Sequence, residues 1–475
     1  MLSPHLADFL KRLQQAEQLL RVEAEVSADL EIAEITRRVA ASAGRALLFD
    51  NVCERTGAVA TGLLASERRV CLALGADSLD AAADQIATHL AASDLPAPRV
   101  AATPACQQVI ELGRDIDLVS LPLLRTTPDD AQAALGGAWL TTADPETSDP
   151  GTSDPGTSDP GTSDPGTLDP GTLDPGTLDP ATAQTALTPC VALVQDRRAL
   201  IITWCDRDPL AAHFRAAQRR GGRLPVAIFF GGPPALALLA SPAWQLGRDV
   251  YAVVGGLADG TFEVATCRTH PLLVPAESEL VIEGQLDTSD AAHEARTATL
   301  EVEMITHRTG PRLTAQVPGG PADEPAQLRR TAARLALPRL RAGHRAIRKL
   351  VCPDWAAGEV LLVAIEKRHA GEPREVAALI ASDATFVRLR FLVLVDDDVD
   401  LADERQVWQR VASECRPTTD VIGSPHALGD EVPAMLAFDA TRPWPEVDRA
   451  GRDRQTSVEQ IRELVTARWS EYGMP

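Results

Sequence analysis

A chain of 475 residues has room for about three domains at roughly 100–200 residues each, and 45% hydrophobic with 24% charged residues is ordinary for a globular protein. Lys and Arg number 46 against 67 Asp and Glu, a formal charge of −21 with pI ≈ 4.9, which excludes a nucleic-acid backbone and an anionic membrane surface as partners. No run of 18 apolar residues occurs and no basic segment leads into an apolar one at the N-terminus, so no membrane insertion and no leader are expected, and the cytoplasm is the expected location.

The N-terminal region reads as a small α/β unit over residues 1–105. Leu6, Phe9, Leu10 and Leu13, then Leu19 and Leu20, recur at helical spacing. Ser27 is the candidate N-cap of a second helix carrying Leu30, Ile32, Ile35 and Val39. Ala46 to Val52 reads as a strand, Val70 to Gly75 continues the α/β pattern, and Leu79 to Ala92 is a further helix.

From 106 to 315 the strong segments are short, rich in Val, Ile and Leu, and broken by Gly and Pro, which predicts a β-rich barrel or sandwich. Val191–Val194, Ala199–Trp204, Pro225–Gly232, Tyr251–Gly256, Val274–Ala276 and Leu280–Gly284 are its candidate strands, and Pro209–Arg219 is a helical insertion. Within this span residues 144–180 repeat an Asp-Pro-Gly-Thr-Ser pentad, later Asp-Pro-Gly-Thr-Leu. Pro, Gly and Asp at fixed spacing favour successive turns and offer little to bury, so a disordered surface loop is expected rather than a calcium site.

Residues 316–475 return to α/β. Arg329–Ile347, Arg374–Ser382, Val407–Cys415 and Val458–Trp469 are predicted helices, and Val360–Ile365 and Phe391–Asp396 are buried strands. The last helix carries Ile461, Leu464, Val465 and Trp469 on one apolar face, which points to a homo-oligomer. Eight cysteines stand singly with no C-x-x-C pair, the pattern of reduced, buried thiols rather than of zinc ligands or disulfides.

Landmarks through nearly the whole chain resemble the UbiD family of carboxy-lyases, the 3-polyprenyl-4-hydroxybenzoate decarboxylases and their relatives. They include Asp29-Leu-Glu-Ile-Ala-Glu-Ile, Ala46-Leu-Leu-Phe-Asp-Asn-Val, Ser66-Glu-Arg-Arg-Val-Cys-Leu-Ala-Leu-Gly and Leu224-Pro-Val-Ala-Ile-Phe-Phe-Gly-Gly-Pro-Pro. Val274-Pro-Ala-Glu-Ser-Glu-Leu-Val-Ile-Glu-Gly is the most distinctive, followed by Val395-Asp-Asp-Asp-Val-Asp, Phe438-Asp-Ala-Thr-Arg-Pro-Trp-Pro and Trp469-Ser-Glu-Tyr-Gly. The resemblance implies a mixed α/β and β fold: an N-terminal α/β unit, a central flavin-reductase-like split β-barrel and a C-terminal α/β domain. It also implies decarboxylation of an aromatic or α,β-unsaturated acid, as in quinone biosynthesis, on prenylated FMN with Mn or Mg and K at its phosphate.

In that family an Arg and two Glu flank the flavin, the Arg to clamp a carboxylate and a Glu to protonate the product carbon. Counted along the matching strands, Val191 stands for the Arg, Leu273 and Arg268 for the Glu pair, and Ala186 and Pro209 for two metal ligands. The chain runs Asp287-Thr-Ser-Asp-Ala-Ala-His-Glu where the third ligand's loop is expected. Two readings follow. One is an enzyme with rebuilt groups, Arg268 as carboxylate clamp and His270 as proton donor, acting on a small aromatic or unsaturated acid. The other is a non-catalytic subunit beside an active paralogue, with prenylated FMN and its metals bound weakly or not at all. His293 and Glu294 could make a partial metal site, though two adjacent ligands are more simply a polar turn. Gly231-Gly232 could pass a phosphate but reads first as a turn. Asp396, Asp397, Asp398 and Asp400 read as capping and solvated groups, and Cys205 and Cys267 as inert thiols.

Overall fold

The computed structural model describes residues 2–42, 44–91, 95, 98–130, 132–143, 185–204, 208–239, 249–258, 260, 262–289, 296–423, 435–444, 461 and 463–472. The pentad repeat at 144–180, Cys205, His293 and Glu294 lie outside them.

The N-terminal region runs α1 (Leu6–Gln15), β1 (Leu19–Val22), α2 (Glu31–Ala41), β2 (Ala46–Phe49), β3 (Ala58–Thr61), α3 (Glu67–Leu74) and α4 (Leu79–Ala91). Helix α1 forms because Leu6, Phe9, Leu10 and Leu13 share one buried face and His5 Nδ1 accepts the Asp8 amide at 3.1 Å. Leu19 and Leu20 do not continue that helix, as their spacing suggested. They open a strand that pairs in parallel with β2, and Glu17 at φ 56 turns the chain between the two. Nor does Ser27 cap α2: Leu30 occupies the cap position at φ 66, while Ser27 accepts the Asp29 amide at 3.1 Å in the preceding turn. Val70–Leu74 belongs to α3, capped by Ser66 and ended by Gly75 in the left-handed region.

The central region holds β4 (Arg99–Val100), β5 (Val109–Leu112), β6 (Ala134–Ala143), β7 (Thr185–Val194), β8 (Ala199–Thr203), α5 (Pro209–Arg219), β9 (Leu224–Gly231) and α6 (Leu236–Leu239). It continues with α7 (Val250–Leu257), β10 (Glu263–Thr266), β11 (Leu273–Pro275), β12 (Ser278–Leu286), β13 (Thr297–His307) and β14 (Arg312–Ala315). Strands β12, β9, β6, β7, β8 and β13 pair antiparallel in that order, and β12 also pairs β13, closing a six-stranded barrel with β5 appended to β13. Closure leaves the barrel strands few open edges. Inward residues such as Leu140, Ala192, Leu200, Ile228, Ile282 and Ile305 fill the barrel together with Leu210 and Phe214 of α5. The apolar run at Tyr251–Gly256 is not a strand but part of α7. Asp249 caps it by accepting the Tyr251 amide at 2.8 Å, and the helix is buried nearly all round, so it shows no amphipathic period.

Strand β14 leaves the barrel span and pairs in parallel with β3, completing the sheet β1-β2-β3-β14. The C-terminal region follows with α8 (Glu324–Gly343), β15 (Ile347–Val351), β16 (Val360–Ile365), α9 (Glu372–Ser382), β17 (Phe391–Asp396), α10 (Glu404–Glu414), β18 (Val421–Gly423) and β19 (Leu436–Asp439). Helix α8 begins five residues before the apolar pattern does, because Asp323 caps it and Pro325 sits in its first turn; it ends at Gly343, and Ile347 belongs to β15. The sheet runs β15-β16-β17-β19-β18, its centre parallel and both faces buried. Residues 463–467 are helical. Among the described residues no helix is long and apolar enough to cross a membrane.

Candidate functional site

Three regions meet at one cleft. Ala60, Leu63 and Leu64 come from β3 and the turn after it, Gly137 and Trp139 from β6, Gly231–Pro234 from the end of β9, Thr314–Gln316 from β14, and Glu324 from the first turn of α8. Its walls approach closely because glycines form them. Gly137 (φ 86) would place a Cβ 2.9 Å from Thr314 O, and Gly231 (φ 85) one 2.9 Å from Glu279 Cγ. The cleft's free volume is about 50 Å³, well below the several hundred Å³ of a typical organic ligand site.

Among the described residues Glu324 is the one ionisable side chain lining the cleft. Burial pushes its carboxyl up to about 7, against the opposing pull of the Leu64 and Leu63 amides and the Arg69 guanidinium. A group titrating there can take or give a proton at neutral pH. Arg69 is itself buried, donates to Gly44 O at 2.9 Å, and keeps Nε without a partner among the described residues. Behind Gly231 lies Glu279, 1% exposed: Oε2 accepts the Arg312 amide at 3.1 Å, Oε1 has no partner, and burial raises its pKa.

Arg268 and His270 lie elsewhere, in the turn between β10 and β11, and neither lines the cleft. Buried Glu283 organises that turn: the Arg268 amide donates to Oε1 at 3.0 Å, and the Thr269 amide and hydroxyl donate to Oε2 at 2.7 and 2.8 Å. Arg268 Nε donates to Gln107 Oε1 at 2.9 Å. His270 Nε2 lies 2.9 Å from Glu303 Oε2, whose other oxygen accepts Gln285 Nε2 at 2.8 Å. A bulge aims Glu303 there: Glu283 pairs Met304 and Gly284 pairs Val302, so Glu303 is the extra residue. Gly284 permits it, since a Cβ there would sit 2.1 Å from Glu301 O.

The remaining candidates have plain structural partners. Ala186 on β7 is buried, Val191 on the same strand is 59% exposed, Pro209 is the first residue of α5, and Leu273 opens β11. Gly231-Gly232 forms the turn after β9, both residues at positive φ. Asp396 accepts the Arg442 amide at 3.0 Å, Asp398 pairs with Arg410 and Arg442, and Asp400 accepts the Ala402 amide at 3.0 Å. Burial raises the Cys267 thiol and pushes Cys106 up to about 12, the environment of inert thiols. Among the described residues no three His, Cys, Asp or Glu side chains group as metal ligands. Sequence reasoning missed Glu324; the Asp-Glu-Pro triplet at 323–325, a capped helix start, was its signal.

Three family models match in order: the 3-octaprenyl-4-hydroxybenzoate carboxy-lyase N-terminal domain over residues 10–88, its Rift-related domain over 177–321 and its C-terminal domain over 326–437. Uncharacterised proteins of Synechocystis sp. and Archaeoglobus fulgidus are 25% and 26% identical, over 99% and 98% of this chain and 96% and 98% of theirs. Among solved structures, vanillic acid decarboxylase of Sedimentibacter hydroxybenzoicus in closed form gives a TM-score of 0.77 at 22% identity, covering 98% of this chain and 99% of that one. The UbiD-class enzyme HmfF of Pelotomaculum thermopropionicum in complex with prFMN gives 0.72 at 22%, covering 95% and 98%. Apo 3,4-dihydroxybenzoic acid decarboxylase of Klebsiella pneumoniae gives 0.71 at 21%, covering 96% and 99%. With three domain models in register and the same barrel between two α/β regions, the chain belongs to the UbiD family of carboxy-lyases.

Proposed function

We propose that this chain keeps the UbiD fold without the family's standard decarboxylation, and serves as a non-catalytic member working beside a second copy or an active paralogue. One observation carries the reading. On β7 and at the start of α5, where the resemblance puts the carboxylate-clamping Arg and two metal ligands, stand Val191, Ala186 and Pro209. None has a side-chain oxygen or nitrogen, so this donor set does not fit a hard divalent cation, nor can it hold a substrate carboxylate.

The test is co-expression with a flavin prenyltransferase in the presence of Mn²⁺ and K⁺, followed by absorbance beyond 300 nm and CO₂ release from vanillate and 3,4-dihydroxybenzoate. The expected result is protein without stoichiometric flavin and without turnover; stoichiometric flavin with turnover overturns the proposal. A second reading, an enzyme with rebuilt groups, draws support from the His270–Glu303 pair, half-buried and at 2.9 Å. On that reading His270→Ala slows turnover by about 10²–10⁴, the size of a general-acid contribution.

A further inference from the structure

The last sheet is covered unequally. Helices α8 and α9 both pack on one face, through Ala336, Leu340, Val376 and Ile380. Among the described helices only α10 packs on the other, through Val407, after Val399 and Leu401 of the segment that leads into it. What α10 leaves open is aromatic. At the amino ends of the strands Phe391 pairs with Leu436 across β17 and β19, and its ring stacks with that of Phe438, centroids 6.4 Å apart. On its other side Phe391 pairs with Val360, the first residue of β16. Just before that strand Trp355 Nε1 donates to Glu404 Oε1 at 2.7 Å, which sets Trp355 beside Trp408, one turn along α10 from Glu404. Trp355, Trp408, Phe391 and Leu436 are between 39% and 52% exposed. At about 150–250 Å² for a whole aromatic side chain, these four leave roughly 300–400 Å² of apolar surface in water, the size at which the largest patch on a single chain is often functional.

The charges around the patch name its occupant. Asp354 lies 3.6 Å from Arg330, Glu359 lies 3.3 Å from Arg390, and Glu404 adjoins Arg405. Each of these rim acids has its own Arg, so the face is locally neutral on a chain of formal charge −21. A strongly basic or acidic partner gains no field there, whereas a second copy of so acidic a chain is repelled by a surface that carries the overall charge. Turned about a two-fold axis, the same face sets its Arg side chains against the acids of the other copy and its aromatic centre against itself.

We propose that this face is a self-complementary contact, where two copies of the chain meet through Trp355, Trp408, Phe391 and Leu436 with the paired charges as rim. An apolar, Trp-bearing centre inside a polar edge is the usual layout of a protein–protein contact. A stable contact covers about 800 Å² on each partner, so the apolar centre supplies nearly half and the rim the rest. The contact does not depend on the catalytic reading, since flavin and turnover test that one and chain mass tests this one.

Light scattering on the full chain is expected to give twice the 50.6 kDa chain mass or a multiple of it, and Trp408→Glu with Phe391→Glu is expected to give the mass of one chain. A second variant serves if that pair folds poorly. Trp408→Cys in a Cys53→Ser background, treated with a short bis-maleimide, is expected to yield a covalent dimer, and Cys53→Ser alone is expected to yield none. A wild-type monomer, or a Trp408→Cys chain that does not crosslink above the Cys53→Ser control, overturns the proposal. So does an assembly that Ile461→Glu with Leu464→Glu dissolves while the Trp408 and Phe391 variant leaves it intact, because the contact then lies on the last helix alone.

Discussion

Glu283 shows how one buried acid can fix a loop. Its two oxygens accept two backbone amides and a hydroxyl from the Arg268–Thr269 turn. Glu283→Ala leaves those donors without an acceptor in a buried place, so it is expected to cost about 3 kcal/mol of stability. Glu283→Gln, which keeps one acceptor oxygen, is expected to cost less than half of that. Urea denaturation followed by circular dichroism checks both, and an alanine variant as stable as wild type would show that the turn finds other acceptors. Titratable residues beside the Val274-Pro275 motif suggest chemistry, yet spacing along one chain cannot tell that Gln107 and Glu303 stand ready to engage them.

Among the secondary elements, the junction between barrel and first sheet depends on β6 and β14 touching backbone to backbone. Gly137 at φ 86 makes that approach, and its carbonyl accepts the Thr314 hydroxyl at 2.7 Å. Gly137→Ala meets both a strained φ and a 2.9 Å contact with Thr314 O, so a loss of about 3 kcal/mol or more is expected. Gly221→Ala is the control: its φ is 66 but nothing lies within 4 Å, so only the conformational cost of about 1 kcal/mol applies. Thermal melts of the two variants compare them, and equal losses would mean that β14 shifts to make room. Periodicity identified α1, α4, α5, the barrel strands β7, β8, β9 and β12, and β16 and β17 of the last sheet, and it gave no reading of β6, β13, β15, β18 or β19. It misread Leu19–Leu20 and Tyr251–Gly256, where short apolar runs fit either period and a cap or a positive-φ turn outside the run decided the outcome.

At the level of the whole molecule, Ile461, Leu464 and Trp469 are 57%, 55% and 47% exposed near the end of the chain. Exposed large apolar side chains such as Ile461 and Leu464 are normally covered by a partner, and the sequence expectation of a homo-oligomer rests on these two together with Val465 and Trp469. Light scattering is expected to give a multiple of the 50.6 kDa chain mass, reduced to a single chain by Ile461→Glu with Leu464→Glu. A wild-type monomer would count against a homotypic contact there.

The sequence alone determined the family and the longer, strongly patterned elements, because apolar periodicity and landmark motifs are local properties that survive at 25% identity. It also determined that Ala186, Val191 and Pro209 carry no side-chain ligand atoms, since that is a matter of residue identity. The tertiary structure decided what depends on distance between remote segments. It closed β12 on β13, moved β14 from the barrel span into the first sheet, and set Glu324 against Leu63, Leu64 and Arg69, more than 250 residues away in the chain. A carboxyl's pKa is set by the water it loses and the charges it meets, and both are fixed only when the three regions pack around one cleft.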